Sequence, residues 1–535
     1  MRTLIKGGRI IDGTGRAERQ RDVLIRDGSI EAVEPNISAR ADEIVEASGK
    51  IVCPGFVDMH RHCDVAPMRD GDFGMAELSQ GITFAAVGNC GIACAPIPEK
   101  MQDSYRSFSL PVLGDTDGCL YPTFEAYFSA LSATPKPIHM GVMAATGAVK
   151  VAVKGFSPSP YTPGELQSAQ ALVASAMDQG ALGVTLGFMY QPECYTTERE
   201  QAAVIAPAAR AGRILTTHIR GEGDSLVKSV DEVIRVADTA GVPLQISHFK
   251  CTGIRNWGRG IYEAMEHIEA ARARGQKVTV DFYPYSGGST TIFSLIPPDI
   301  LRDTNEETLH YLSTKEGREA FRLSVSRAHP DWDNMALSIG WDRILIASTH
   351  HQEDRWMSGQ DMESLSRRLG YAHPALFAAE LMARENGLVG IIVMSMDDHD
   401  VDAVARLPYS VLISDALYGG GDNPHPRLYG AFPHFIRDFA LNRRILPLET
   451  AVMKMTMLPA RALGLGKKGI LAPGMDADVC IINESTLTDK ADYARSRVLS
   501  QGVERVLVAG KTAWKDGQMT GDKAGRVCLA DGKEI

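Results

Sequence analysis

Ile51-Val-Cys-Pro-Gly-Phe-Val-Asp-Met-His60, followed by Arg61 and His62, decides how the rest of the chain is read. The run is apolar and rich in strand formers, and it ends by delivering two imidazoles one residue apart. In an extended strand, residues i and i+2 point the same way, so both rings reach one point from the end of one strand. A lone His-x-His is weak evidence, because histidine pairs also occur in cores and on surfaces. Four later residues sharpen it: Cys90, His218, His248 and Asp415, each just after its own short apolar run. A closed parallel barrel gathers its polar side chains at such strand ends.

Working outward, short apolar runs alternate with helical periodicity. Candidate strands cover 51–59, 82–87, 138–146, 182–188, 213–217, 243–247, 277–282 and 410–414, and helical patterns cover 164–179, 225–239, 260–274 and 448–463. Eight strands with helical crossovers predict a distorted TIM (β/α)8 barrel, an α/β fold. The first fifty residues and the last seventy read instead as short strands between Gly-centred turns, Asp27-Gly28 and Ala509-Gly510 among them. Neither end supports a core alone, so the two are expected to combine into a small β-sandwich domain, 1–52 with 466–535, around a barrel spanning 53–465. A charged, proline-bearing stretch at about 287–343 breaks the rhythm after strand seven and is read as a lid insertion.

Composition narrows the function classes. The chain has 535 residues and a net charge of −10, and it lacks a basic run with interleaved aromatics, which argues against a nucleic-acid partner. Its apolar runs fall short of the roughly 18 to 20 residues that span a bilayer, so no membrane role is expected. The N-terminus is broken by glycines and charges too early for a signal peptide. Nine scattered cysteines do not look like a disulfide framework. The expectation is a cytoplasmic protein with reduced thiols that acts on a small molecule; oligomeric state is left open.

In a closed barrel the strand ends ring one mouth, which brings His60, His62, Cys90, His218, His248 and Asp415 together. Imidazoles, one thiolate and one carboxylate form a zinc-type donor set, because Zn²⁺ favours nitrogen and sulfur. The competing reading makes each histidine a separate core or loop residue.

Pro54-Gly-Phe-Val-Asp-Met-His-Arg-His62 resembles the strand-one signature of the amidohydrolase superfamily. Gly88-Asn-Cys-Gly91, Thr217-His-Ile-Arg-Gly-Glu222, Ile246-Ser-His-Phe-Lys250, Asp281-Phe-Tyr-Pro-Tyr285 and Asn423-Pro-His-Pro-Arg-Leu-Tyr-Gly430 narrow the resemblance to the N-acyl-D-amino-acid deacylase (D-aminoacylase) family, across essentially the whole chain. The resemblance implies zinc-dependent hydrolysis of the amide bond of N-acyl-D-amino acids. It implies one tightly bound zinc on Cys90, His218 and His248, and a second, weaker metal position at His60 and His62 with Asp415. It further implies Asp415 as general base and acid, and Lys250, Tyr283 and Arg427 as a clamp on the substrate carboxylate. Arg61 and Cys63 depart from the small or acidic residues expected beside His62. Arg220 and Glu222 are candidates for orienting His218, and Asp64 for leaning on the metal shell.

Strand four reads Leu182-Gly-Val-Thr-Leu-Gly-Phe188 and lacks the lysine that many binuclear cyclic amidases carboxylate there. Lys150 and Lys154 follow strand three and are expected on the surface. Two alternatives remain: a cyclic amide hydrolase of the hydantoinase or dihydroorotase type, and a non-catalytic barrel scaffold.

Overall fold

The computed structural model describes residues 1–302, 304–330, 332–419, 421 and 423–534. Both chain ends build one β unit. Arg2–Ile10, Arg19–Arg26, Ser29–Glu34, Glu43–Glu46 and Ile51–Pro54 join Val479–Ile482, Val503–Val508, Lys511–Lys515 and Gln518–Met519 in a continuous nine-stranded sheet. Ile51–Pro54 stitches the halves, pairing parallel with Arg2–Ile10 and antiparallel with Val479–Ile482. The hairpin turns Asp27-Gly28 and Ala509-Gly510 hold both of their residues at positive φ, the backbone of two-residue turns that match strand twist. Alternation divides the sheet's side chains. Val52, Val479, Ile481 and Leu507 face a core of the sheet's own, and Ile51, Cys53, Cys480 and Ile482 join the barrel core.

The expected first strand, 51–59, is two strands. Ile51–Pro54 belongs to the terminal sheet and Phe56–Asp58 to the barrel, where it pairs with Ile82–Val87. The chain crosses at Gly55, where a Cβ would lie 2.2 Å from Thr83 Oγ1 and leave no room for a side chain. The barrel continues through His139–Val142 with Ala144–Ala145, Gly183–Gly187, Ile214–His218, Leu244–Ile246, Val278–Phe282 and Ser410–Leu412, all parallel. It closes where Asp415 N–H donates to His60 O at 3.0 Å and Ala416–Leu417 runs parallel to Arg61–His62.

Three predicted helices form within two residues of expectation: Pro163–Asp178, Leu226–Ala240 and Gly260–Ala273. Thr162 caps the first, with Glu165 completing a capping box. The fourth splits at Thr456 into Leu448–Met455 and Met457–Ala462, because Pro459 has no N–H to continue the ladder. Lys150 is buried, not on the surface, and donates to Pro192 O at 3.0 Å. Among the described residues no helix is long and apolar enough to cross a membrane.

The insertion after strand seven extends past the expected 343. Gly288–Thr291, Gly390–Val393 and Ile344–Ser348 form a three-stranded antiparallel sheet with Gly390–Val393 in the centre. The strand that completes it therefore lies far downstream. Its core includes Ile292, Leu312, Phe321, Ile346, Phe377 and Ile391, separate from that of the barrel.

A buried charge cluster ties the C-terminal tail to the sheet and to barrel strand three. Lys468 Nζ lies 3.0 Å from Asp476, 2.9 Å from Asp478 and 3.3 Å from Glu534, and His139 Nε2 lies 3.1 Å from Asp478. His139, Cys528 and Glu534 are close enough to share a cation, but the Lys468 ammonium already bonds this carboxylate cluster. Burial alone would raise the Asp478 carboxyl, yet Lys468 and then His139 hold it far below the usual range. Lys468→Met removes the ammonium shared by all three carboxylates and leaves Asp478 with His139 and Glu534 with Arg526 alone. The expected loss of stability is about 3 to 5 kcal/mol, read as unfolding at lower guanidinium concentration.

Candidate active site and metal centre

The strand ends bring the sequence-selected residues together at one mouth. His60 and His62 stand with ring centroids 5.3 Å apart, His60 and His248 also 5.3 Å, and His218 and His248 4.3 Å. Cys90 Sγ lies 3.3 Å from His60 Nε2 and 3.7 Å from His248 Nε2. Two donor groups result, His60–His62–Cys90 and Cys90–His218–His248, each with ligand atoms within 4.8 Å of one another. Cys90 belongs to both. His218 Nε2 is buried without a hydrogen-bond partner, as a nitrogen kept for a cation would be.

Charge suits such a cation. Burial holds His218 and His248 well below the usual imidazole range, with His248 adding to the effect on His218 and Lys250 to that on His248. Both are therefore neutral, the form that ligates metal. Burial also raises the Cys90 thiol, against the pull of His60. For Asp415, burial acts upward, but Arg427, then His60 and His62, carry the carboxyl well below the ordinary range. Asp415 Oδ2 pairs with Arg427 Nη1 at 2.8 Å. Its Oδ1 faces His60 Nε2 at 3.4 Å and His62 Nε2 at 3.6 Å.

Local backbone explains how these side chains point inward. Cys90, His248 and Asp415 have φ of 54°, 35° and 48°, in the left-handed region that non-glycine residues seldom occupy. Each follows a barrel strand and turns its side chain over the mouth. Around Cys90, Thr185 Oγ1 accepts from Gly91 N–H and donates to Gly88 O. Glu193, pushed up to about 7 by burial, accepts from Thr146, Gly187 N–H and Gln201.

A cleft open to solvent, with about 850 Å³ of empty space when that open solvent is included, lies over the cluster. Lys250, Tyr283 and Arg427 meet on its wall: the Arg427 guanidinium stands 4.5 Å from the Tyr283 ring centroid, and Lys250 Nζ stands 5.8 Å from it. Lys250 also pairs with Glu222 and lies 2.8 Å from His248 Nδ1. Glu222 serves a different histidine from the expected one, lying 3.1 Å from His248 Nδ1 and 3.8 Å from His218. Arg220 turns away to Glu232. Asp64 lies outside both donor groups, and burial pushes its carboxyl up to about 8.

Sequence reasoning gave no role to four residues that the fold brings to the site. Asp281 accepts from His248 N–H and lies 3.8 Å from His60 Nδ1. Its signal was present: it is two residues before Tyr283 on strand seven. Tyr190 places its hydroxyl 3.4 Å from His218 Nδ1. Asp333 and Met335 reach the cavity wall from the insertion, and no local pattern foretold that.

Because a Cβ on Gly187 would lie 2.1 Å from Cys90 O, a backbone atom, Gly187→Ala forces the Cys90 loop to move. A destabilisation of about 1 to 3 kcal/mol is expected by denaturant unfolding, and unchanged stability would contradict this close approach.

Comparison with known proteins follows the same lines. A family profile described as the amidohydrolase family matches residues 380–513. The N-acyl-D-glutamate deacylase of Alcaligenes xylosoxydans xylosoxydans is 32% identical over 95% of this chain and 92% of its own length. The D-aminoacylase of the same organism is 30% identical over 98% and 96%. The crystal structure of N-acyl-D-glutamate deacylase from Bordetella bronchiseptica, complexed with zinc and a phosphonate inhibitor, superposes with a TM-score of 0.83 at 31% identity, covering 99% of both chains. With relatives at 30% identity or more covering nearly all of it and the fold in common, the chain belongs to the N-acyl-D-amino-acid deacylase family of amidohydrolases.

Proposed function

We propose that this protein is a zinc-dependent deacylase that hydrolyses the amide bond of N-acyl-D-amino acids to a carboxylate and a free D-amino acid. The observation that carries the reading is Asp415, anchored through Oδ2 by Arg427 while Oδ1 faces the histidines of a Cys/His donor cluster. In this reading residues 53–465 carry the chemistry, and the terminal segments 1–52 and 466–535 support them.

Cys90, His218 and His248 would hold the tight zinc, and His60 and His62 with Asp415 a weaker second position. The buried, unpartnered His218 Nε2 and the mixed sulfur–nitrogen set fit that metal. Bound there, zinc lowers the pKa of water and polarises the scissile carbonyl. Asp415 removes the proton from the attacking water and returns it to the leaving nitrogen as the C–N bond breaks, since an amide leaves poorly as an anion. Lys250, Tyr283 and Arg427 hold the substrate α-carboxylate, and an Arg fork suits that work. Glu222 and Asp281 keep the His248 ring and main chain in place.

The cyclic-amidase alternative is disfavoured because strand four, Gly183–Gly187, offers no lysine to the mouth. The scaffold alternative is disfavoured because every donor and the Asp415–Arg427 pair stand in one cluster.

The direct test is amine release from N-acetyl-D- and N-acetyl-L-amino acids by zinc-loaded protein. Turnover confined to the D series is expected, and none on either series would refute the reading. Asp415→Asn should lower kcat by about 10² to 10⁴ while the tightly bound zinc stays in place. Chelation should abolish turnover and added zinc restore it.

A further inference from the structure

The cavity wall facing the insertion carries information on which D-amino acid the site accepts. Among the described residues that line the cavity, the cations are Lys250 and Arg427. Both are already matched: Lys250 pairs with Glu222, and Arg427 with Asp415. Both also stand at the clamp, where an α-carboxylate would take up their remaining capacity. Elsewhere the wall presents Thr252, Ser289, Thr290, Met335 and Val393, and one further charge, the carboxylate of Asp333.

Asp333 is fixed in that place. Its Oδ2 accepts from Gly223 N–H at 2.8 Å and Ser225 Oγ at 3.0 Å, and its Oδ1 accepts from Ser225 N–H at 3.2 Å. These bonds dock the insertion against the start of the helix Leu226–Ala240 and hold a negative group at the cavity edge. The first basic residue of the insertion, Arg302, is turned away. Its guanidinium donates to the carbonyls of Asp299, Ile300 and Leu301 and stacks 3.9 Å from the Tyr311 ring centroid. A second carboxylate on the substrate would thus find no uncommitted cation on the wall and a carboxylate across from it.

We infer that the site, read as a deacylase site, selects D-amino acids whose side chain bears no negative charge and excludes N-acyl-D-glutamate and N-acyl-D-aspartate. The inference rests on the deacylase reading and sets this chain apart from the N-acyl-D-glutamate deacylases it resembles. Thr252, Ser289 and Thr290 offer neutral hydrogen-bonding groups to a polar side chain, and Met335 and Val393 offer contact to an apolar one.

The test uses isosteric pairs, so that charge is the only variable: N-acetyl-D-glutamine against N-acetyl-D-glutamate, and N-acetyl-D-asparagine against N-acetyl-D-aspartate. The expected kcat/KM ratio favours each amide by roughly a hundredfold or more, since like charges placed together in a binding site are strongly disfavoured. Equal rates, or faster turnover of the acids, would overturn the inference while leaving the deacylase reading intact. Loss of turnover on all four, with none on the apolar members of the N-acetyl-D series either, would instead refute the deacylase reading itself. Met335→Arg adds a cation to the same wall and should raise the glutamate-to-glutamine ratio at least tenfold, with glutamine turnover reporting that the variant is folded. An unchanged ratio in an active variant would show that the side chain does not face this wall.

Discussion

The buried guanidinium of Arg61, the residue between the two strand-one histidines in sequence, holds the mouth of this barrel together. Arg61 points away from the donor cluster. It donates to Ser414 Oγ at 3.0 Å, pairs with Glu77 at 2.7 Å and Asp58 at 3.4 Å, and reaches Tyr418 Oη at 3.1 Å. Asp58 in turn accepts from Ser414 N–H and Oγ. Strand one, which bears His60 and His62, is thereby locked to the end of strand eight, which bears Asp415. Such buried ion networks add little net stability, but removing one member leaves uncompensated charge at a cost of about 3 to 5 kcal/mol. The barrel therefore closes in one register, and the register sets the spacing between the carboxylate and the imidazoles.

On that frame, backbone strain aims the chemistry. The left-handed conformations at Cys90, His248 and Asp415 cost about 1 to 3 kcal/mol each and persist only where surrounding contacts enforce them. Those contacts are visible: Thr185 and Glu193 around the Cys90 loop, Asp281 on the His248 main chain, and the His60 carbonyl on Asp415 N–H. Strand ends alone would project side chains up or down by simple alternation. The added turn lets three strands deliver a thiol, an imidazole and a carboxylate to one point.

These two levels explain what could be read from the residues alone. The barrel strands were legible because each is a short apolar run, and the donor residues because each closes such a run. The i and i+2 spacing correctly put His60 and His62 on one side, with Arg61 opposite. Strand alternation does not govern His248 and Lys250, since both lie beyond the strand Leu244–Ile246 and His248 has left-handed φ. Glu222 was assigned to His218 because the two share a loop, whereas the fold sets it closer to His248 on the next strand. The extent of the insertion and the reach of Asp333 were not legible, because they depend on a strand pairing about a hundred residues apart and on a helix start far upstream. Arg61 looked like a departure beside the site; its partners at 414 and 418 give it a purpose that no local window contains.

In the proposed deacylase Cys90 is the sulfur donor, and it belongs to both donor groups. X-ray absorption at the zinc edge of the zinc-loaded protein tests this directly. One sulfur neighbour at about 2.3 Å among nitrogen and oxygen neighbours at about 2.0 to 2.2 Å is the predicted result. A shell of nitrogen and oxygen alone would contradict it.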